Sequence, residues 1–215
     1  MVTFEKTIFM EVLENDKLEL VQDFIPKAMD YPTYRKLVSE LAKRGKSTGL
    51  DQSEAMINYT KLSDRRMVRW EKTFKISEEI QKKLAALEKD LTFLVLTESW
   101  CGDAAASMPI LQKIAESSAK IDLKVVLRDE SLELMDAFLT NGARSIPKVI
   151  VLDNSNQEIV GEWGPRPSLA TKMVEDYKKE HGKLTDEFKQ ELQLWYNKSK
   201  GQNILEDILQ LLALE

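Results

Sequence analysis

The stretch LTFLVLTESWCGD, residues 91–103, decides how the rest of the chain reads. Leu91 to Thr97 carries no charge and mixes leucine with Val, Phe and Thr, which predicts a short strand buried on both faces. The apolar run then breaks at Glu98-Ser99-Trp100-Cys101, and Gly102 to Ser118 carries a helical pattern. Ile121 to Leu127 is a second apolar strand, so the segment forms a βαβ unit with a parallel pair.

Working downstream, Ser131 to Thr140 predicts a short helix ending at Asn141-Gly142. Pro147 to Asp153 and Glu158 to Trp163 predict two strands joined by a turn of hairpin length, and Pro165 to Glu180 predicts a helix closed by His181-Gly182. From Thr185 onward two amphipathic helices are expected, split near Gly201. Upstream the chain reads as helical, with helices over Thr33 to Arg44, Ser53 to Thr73 and Ser77 to Lys89. The expected organisation is a helical extension over 1–90 packed on a core over 91–182, followed by C-terminal helices over 183–215.

Composition narrows the function. The chain has 215 residues, and its 31 Lys and Arg stand against 36 Asp and Glu for a net charge of -5, a poor match to a phosphate backbone, so nucleic acid is not an expected partner. The single cysteine, Cys101, excludes an intrachain disulfide and a cysteine zinc cage, and the single His181 excludes a multi-histidine site. No metal or cofactor is expected. No apolar run approaches the roughly 18 residues that cross a bilayer, and the N-terminus lacks a basic region followed by an apolar one, so a cytoplasmic protein without membrane contact is expected.

The order strand, Trp100-Cys101-Gly102-Asp103, helix, strand, helix, Ser145-Ile146-Pro147, two strands, helix resembles the thioredoxin fold over about two fifths of the chain. The resemblance implies an α/β fold, a mixed parallel and antiparallel sheet with flanking helices, and a cis bond at Pro147 facing the cysteine. Trp-Cys-Gly-Asp with Trp163-Gly164-Pro165-Arg166-Pro167 is similar to a bacterial branch of that superfamily lacking the second cysteine. By the same resemblance Cys101 is the catalytic candidate, and Trp100, Gly102, Asp103, Ile146 and Pro147 would bind the substrate.

The position of the resolving cysteine holds Ala104, so no intramolecular resolution is available. The family's buried acid and its lysine partner fall at Val95 and Val125. What remains is a thiol at a helix N-terminus, where the helix dipole contributes about 0.3 to 2 kcal/mol and predicts a thiol pKa of about 7 to 8. Asp103 opposes that shift, while Glu98, Arg128 and Arg144 are candidates for electrostatic tuning, Glu98 as a proton relay or a solvated loop acid.

Other features carry structural readings beside functional ones. Lys61, Arg65, Arg66, Arg69, Lys72 and Lys75 read as a solvated basic helix face or one docked against the acidic remainder of the chain, with an anion or acidic-partner site as the functional alternative. Trp163, Pro165 and Arg166 read as strand-end packing or as the rim of the cysteine groove. The last two helices read as packing on the core, with a dimer contact as the alternative. Two functions therefore stand open: a monothiol protein exchanging disulfides with a protein thiol or a low-molecular-weight thiol, and a redox-inactive scaffold that binds a protein partner. Cluster binding by two chains is a weaker third.

Overall fold

The computed structural model describes residues 14–214. Residues 1–13, read above for a leader pattern, and residue 215 lie outside the described residues. A helix over 14–24 (α1) leads through a 3-10 turn into a two-residue strand β1, Met29–Asp30. Three helices follow: α2 (Tyr31–Arg44), α3 (Glu54–Thr73) and α4 (Glu78–Ala85). Each begins where a side chain takes up an orphan backbone donor: Asp30 accepts from the Thr33 N–H, Ser53 from that of Met56 and Ser77 from that of Ile80. Arg35 locks α2 to α3 by pairing with Asp64 at 2.7 Å and Glu71 at 2.9 Å. The two acids of the basic stretch are thus spent on another helix.

The core then runs β2 (Leu91–Thr97), α5 (Ala104–Glu116), β3 (Ile121–Leu127), α6 (Leu132–Ala137), β4 (Lys148–Asp153), β5 (Glu158–Trp163) and α7 (Ser168–His181). The strands form one sheet in the order β1-β3-β2-β4-β5, parallel between β2 and β3 and antiparallel elsewhere. All seven residues of β2 are buried, as an apolar central strand requires. Register sets Val95 beside Val125 on one side and Val149 on the other, so an apolar trio occupies the middle of the sheet. The strand β1 was not foreseen, because two residues carry no period to read.

The start of α7 differs from the sequence pattern. α7 starts at Ser168, three residues later than expected: Pro167 is extended, with φ -62° and ψ 155°, and Arg166, as the residue before a proline, is steered away from helical dihedrals. α9 caps α7: Asp207 accepts from the Ser168 N–H at 2.7 Å and Asn203 from that of Leu169 at 3.0 Å. The C-terminal arm consists of α8 (Asp186–Ser199) and α9 (Gln202–Leu211), turning at Gly201. Gly201 has φ +76°, and a Cβ there would lie 2.5 Å from Ile110 Cδ1 on α5, so the arm doubles back only through glycine. Ile204, Leu205, Ile208 and Leu209 are buried within this chain, the packing reading of the two. Among the described residues no helix is long and apolar enough to cross a membrane.

Candidate functional site

Cys101 lies in the turn between β2 and α5, only 6% exposed. Its Sγ–H donates to the Ile146 carbonyl at 3.4 Å, and the sulfur accepts from the Ala104 N–H at 3.4 Å. The Ile146–Pro147 bond is cis, as is Gly164–Pro165. The expected position of the thiol pKa is overturned: burial, with the charge of Asp103 added, pushes it up to about 12, and the Ala104 N–H and Arg166 only partly oppose the rise. A helix-end contribution near 1 kcal/mol loses to the cost of moving a thiolate out of water.

Asp103 is buried beside the cysteine and held from both sides. Arg166 pairs with it at 2.8 Å and the Tyr196 hydroxyl, from α8, donates to it at 3.0 Å. Burial raises its pKa, while Arg166, the Tyr196 hydrogen bond and Arg66 pull the other way. Of the two readings of the Trp163 to Arg166 segment, each holds for part: Arg166 lies at the cysteine, whereas the Trp163 indole donates to Asp207 at 3.0 Å and packs.

The three residues expected to tune the thiol act elsewhere. Glu98 is fully buried, which corrects its reading as a solvated loop acid: Oε1 accepts from the Asp129 N–H at 2.8 Å, and Oε2 has no hydrogen-bond partner among the described residues. Burial raises its pKa. Arg128 lies 4.9 Å over the Trp100 ring and pairs with Asp129, so it supports the tryptophan. Arg144 makes two hydrogen bonds to exposed Asp136, at 2.6 and 2.7 Å.

Behind the cysteine, hydroxyl groups lace the turn to the loop between α2 and α3. Ser99 Oγ accepts from the Thr48 N–H at 3.0 Å and meets Thr60 Oγ1 at 2.8 Å, while the Ser99 N–H donates to Thr48 Oγ1 at 2.9 Å. In front lies a groove of about 850 Å³ between α3, α8 and the turn. Trp100, Cys101, Gly102, Asp103 and Ile146 line it together, and Pro147 is buried next to Ile146. Met56, Tyr59, Leu62 and Arg66 come from α3, and Leu192, Gln193 and Leu194 from α8.

Arg66, Tyr196 and Gln193 were not singled out for this site. The spacing Met56, Tyr59, Leu62, Arg66 is a helical stripe, and it is the signal that places Arg66 on the groove face. Nothing local in the sequence tells that α8 returns to the cysteine.

A family model described as thioredoxin matches residues 49–178, more than half of the chain. Among solved structures, a protein of unknown function from Pseudomonas aeruginosa aligns with a TM-score of 0.56 and 16% identity, over 89% of this chain and 93% of its own. An HIV epitope-scaffold aligns with a TM-score of 0.51 and 18% identity, over 86% of this chain and 97% of its own. At these identities the likeness is one of fold. No curated protein matches the sequence.

Proposed function

This chain belongs to the thioredoxin family, and from that premise we propose that it is a binding module whose groove receives a ligand or partner over a protonated, resting Cys101. The observation that carries the reading is the thiol itself: Sγ–H is donated to the Ile146 carbonyl in a buried site, with Ala104 where a resolving thiol would stand. Disulfide exchange proceeds through the thiolate. With a pKa of about 12, roughly one thiol in 10⁵ is ionised at neutral pH, against a few per cent for an ordinary cysteine. A lone protected thiol is in keeping with a cytoplasmic setting.

The test is the pH profile of Cys101 alkylation by iodoacetamide, followed by intact mass, with the unfolded chain as reference. Native alkylation slower than in the unfolded chain at neutral pH, with its midpoint shifted upward, is the expected result. A native midpoint clearly below about 8 would overturn the reading. The same shift makes folding weaken with alkali. The folded thiol keeps its proton up to about 12 while the unfolded one loses it near 9, so stability falls as pH rises between the two, and Cys101→Ala removes that slope.

One observation favours a second reading, monothiol exchange. The sulfur faces a groove and accepts the Ala104 N–H, a contact that would also hold a mixed disulfide. In that case Cys101 thiolate attacks an external disulfide, displaces one thiolate and keeps the other half, and an external thiol then releases it. A mass adduct from glutathione disulfide at neutral pH, cleared by added thiol, supports this reading over the first.

A further inference from the structure

The groove over Cys101 combines an apolar wall with one charge that has no ion-pair partner among the described residues. Its ionic residues fall into pairs with a single remainder: Arg166 is taken by Asp103 at 2.8 Å and Lys189 by Asp186 at 2.9 Å. Arg66 is left. It is half-buried, and among the described residues it makes no ion pair or hydrogen bond, with only the longer-range field of Asp103 in its favour. Its Nη1 lies close over Gly102, 3.4 Å from where a Cβ would stand, so the guanidinium is set deep, next to the cysteine turn. A half-buried, unmatched guanidinium is costly unless an anion completes it.

The mouth of the groove has the opposite character. Tyr59 is 44% exposed and Leu194 58% exposed, two of the few large apolar side chains left in water among the described residues, and both line this groove. Met56, Leu62, Leu184 and Leu192 continue the apolar wall inward. A volume of about 850 Å³ lies in the range of small-molecule sites, which join apolar lining to a few placed polar groups.

We infer that the groove binds a small organic monocarboxylate with an apolar tail, its carboxylate on Arg66 and its tail along Tyr59 and Leu194. One unmatched positive charge selects a monoanion over a phosphate dianion, and the apolar mouth selects a hydrocarbon body over a polar one. The inference rests on the proposed binding role of the groove and deepens it by naming the ligand class. No chemistry at Cys101 is required.

The test is calorimetric titration of decanoate into the full chain at neutral pH, with decyltrimethylammonium as an amphiphile of the same chain length and opposite charge. Intrinsic tryptophan fluorescence is read in parallel, with Trp100→Phe as the control that assigns any change to Trp100, since of the four tryptophans its ring lines the groove. Saturable one-site binding of decanoate, at least tenfold tighter than the cation, is expected, with a change in Trp100 emission. Arg66→Gln, checked for folding by circular dichroism, is expected to weaken decanoate about tenfold, the size of a charge-assisted hydrogen bond. If that variant does not fold, Arg66→Lys keeps the charge without the fork and is expected to lose less. Heat that does not saturate, equal binding of both amphiphiles, or an unchanged affinity in the Arg66 variants would overturn the inference. Cys101 alkylation fails or succeeds independently: a reactive Cys101 in a protein that still binds decanoate through Arg66 would sink the resting-thiol reading and leave this one standing.

Discussion

The two sides of the Cys101 turn are built from different chemistry. Behind it, Thr48, Thr60 and Ser99 form a neutral hydroxyl web in which every one of these side chains has a partner, and none needs water. In front, Asp103, Arg166 and Arg66 bring charge into a groove, and the set is unfinished: Arg66 is unmatched, and Arg166 Nε has no hydrogen-bond partner among the described residues. A saturated neutral network is rigid because each member loses its partners on moving, whereas a partly satisfied charged one gains from a newcomer. The back side positions the turn and the front side has the capacity to bind.

Breaking the back should have the largest effect. Ser99→Ala leaves the buried Thr48 N–H without its acceptor and removes the hydroxyl contact to Thr60, which keeps Ser47 as a partner, so a loss of about 2 kcal/mol in urea unfolding is expected. A loss under about 0.5 kcal/mol would mean that the web is not what holds the turn. On the front, Tyr196→Phe removes one of two donors to Asp103 and leaves Arg166 in place. About 1.5 kcal/mol of stability is expected to go, together with faster alkylation of Cys101 as α8 loosens. Unchanged alkylation would show that α8 does not guard the thiol.

The smallest effect sharpens the contrast in charge. Glu98, next in sequence to Ser99, is the ionisable exception to the neutral web: one buried oxygen is unpartnered among the described residues, and burial raises its pKa. A carboxyl with a raised folded pKa favours folding below its unfolded value and loses that contribution as pH rises through the folded one. Glu98→Gln keeps an acceptor for the Asp129 N–H without the charge, so at pH 7 it is expected to be neutral or stabilising by up to about 1 kcal/mol, with the difference vanishing near pH 4. Destabilisation at pH 7 would mean that the Glu98 charge has a role in the fold.

The order of strands and helices from Leu91 onward was legible because buried strands and amphipathic helices write their periods into the chain, and Trp100-Cys101-Gly102 with Ile146-Pro147 marked the turn. Strand β1 was illegible for want of length, and the start of α7 shifted because two prolines and a cap borrowed from α9 set it. Within the site, the five groove residues near the cysteine were readable from motif, while Tyr196 was not, being 93 residues from the Asp103 it holds.

By itself the sequence determined that this one cysteine has no second in this sequence to resolve it, that valines stand at the two positions where the resemblance would put an ionisable pair, and that a thioredoxin-like order surrounds it. These are properties of residue identity and local pattern, which no packing can change. Only the tertiary structure decided the state of that thiol. A helix N-terminus lowers a cysteine pKa when water remains at the sulfur, and here the thiol is buried against the Ile146 carbonyl, with the Asp103 charge beside it. Desolvation depends on everything that surrounds a group, and for Cys101 the covering elements come from distant parts of the chain.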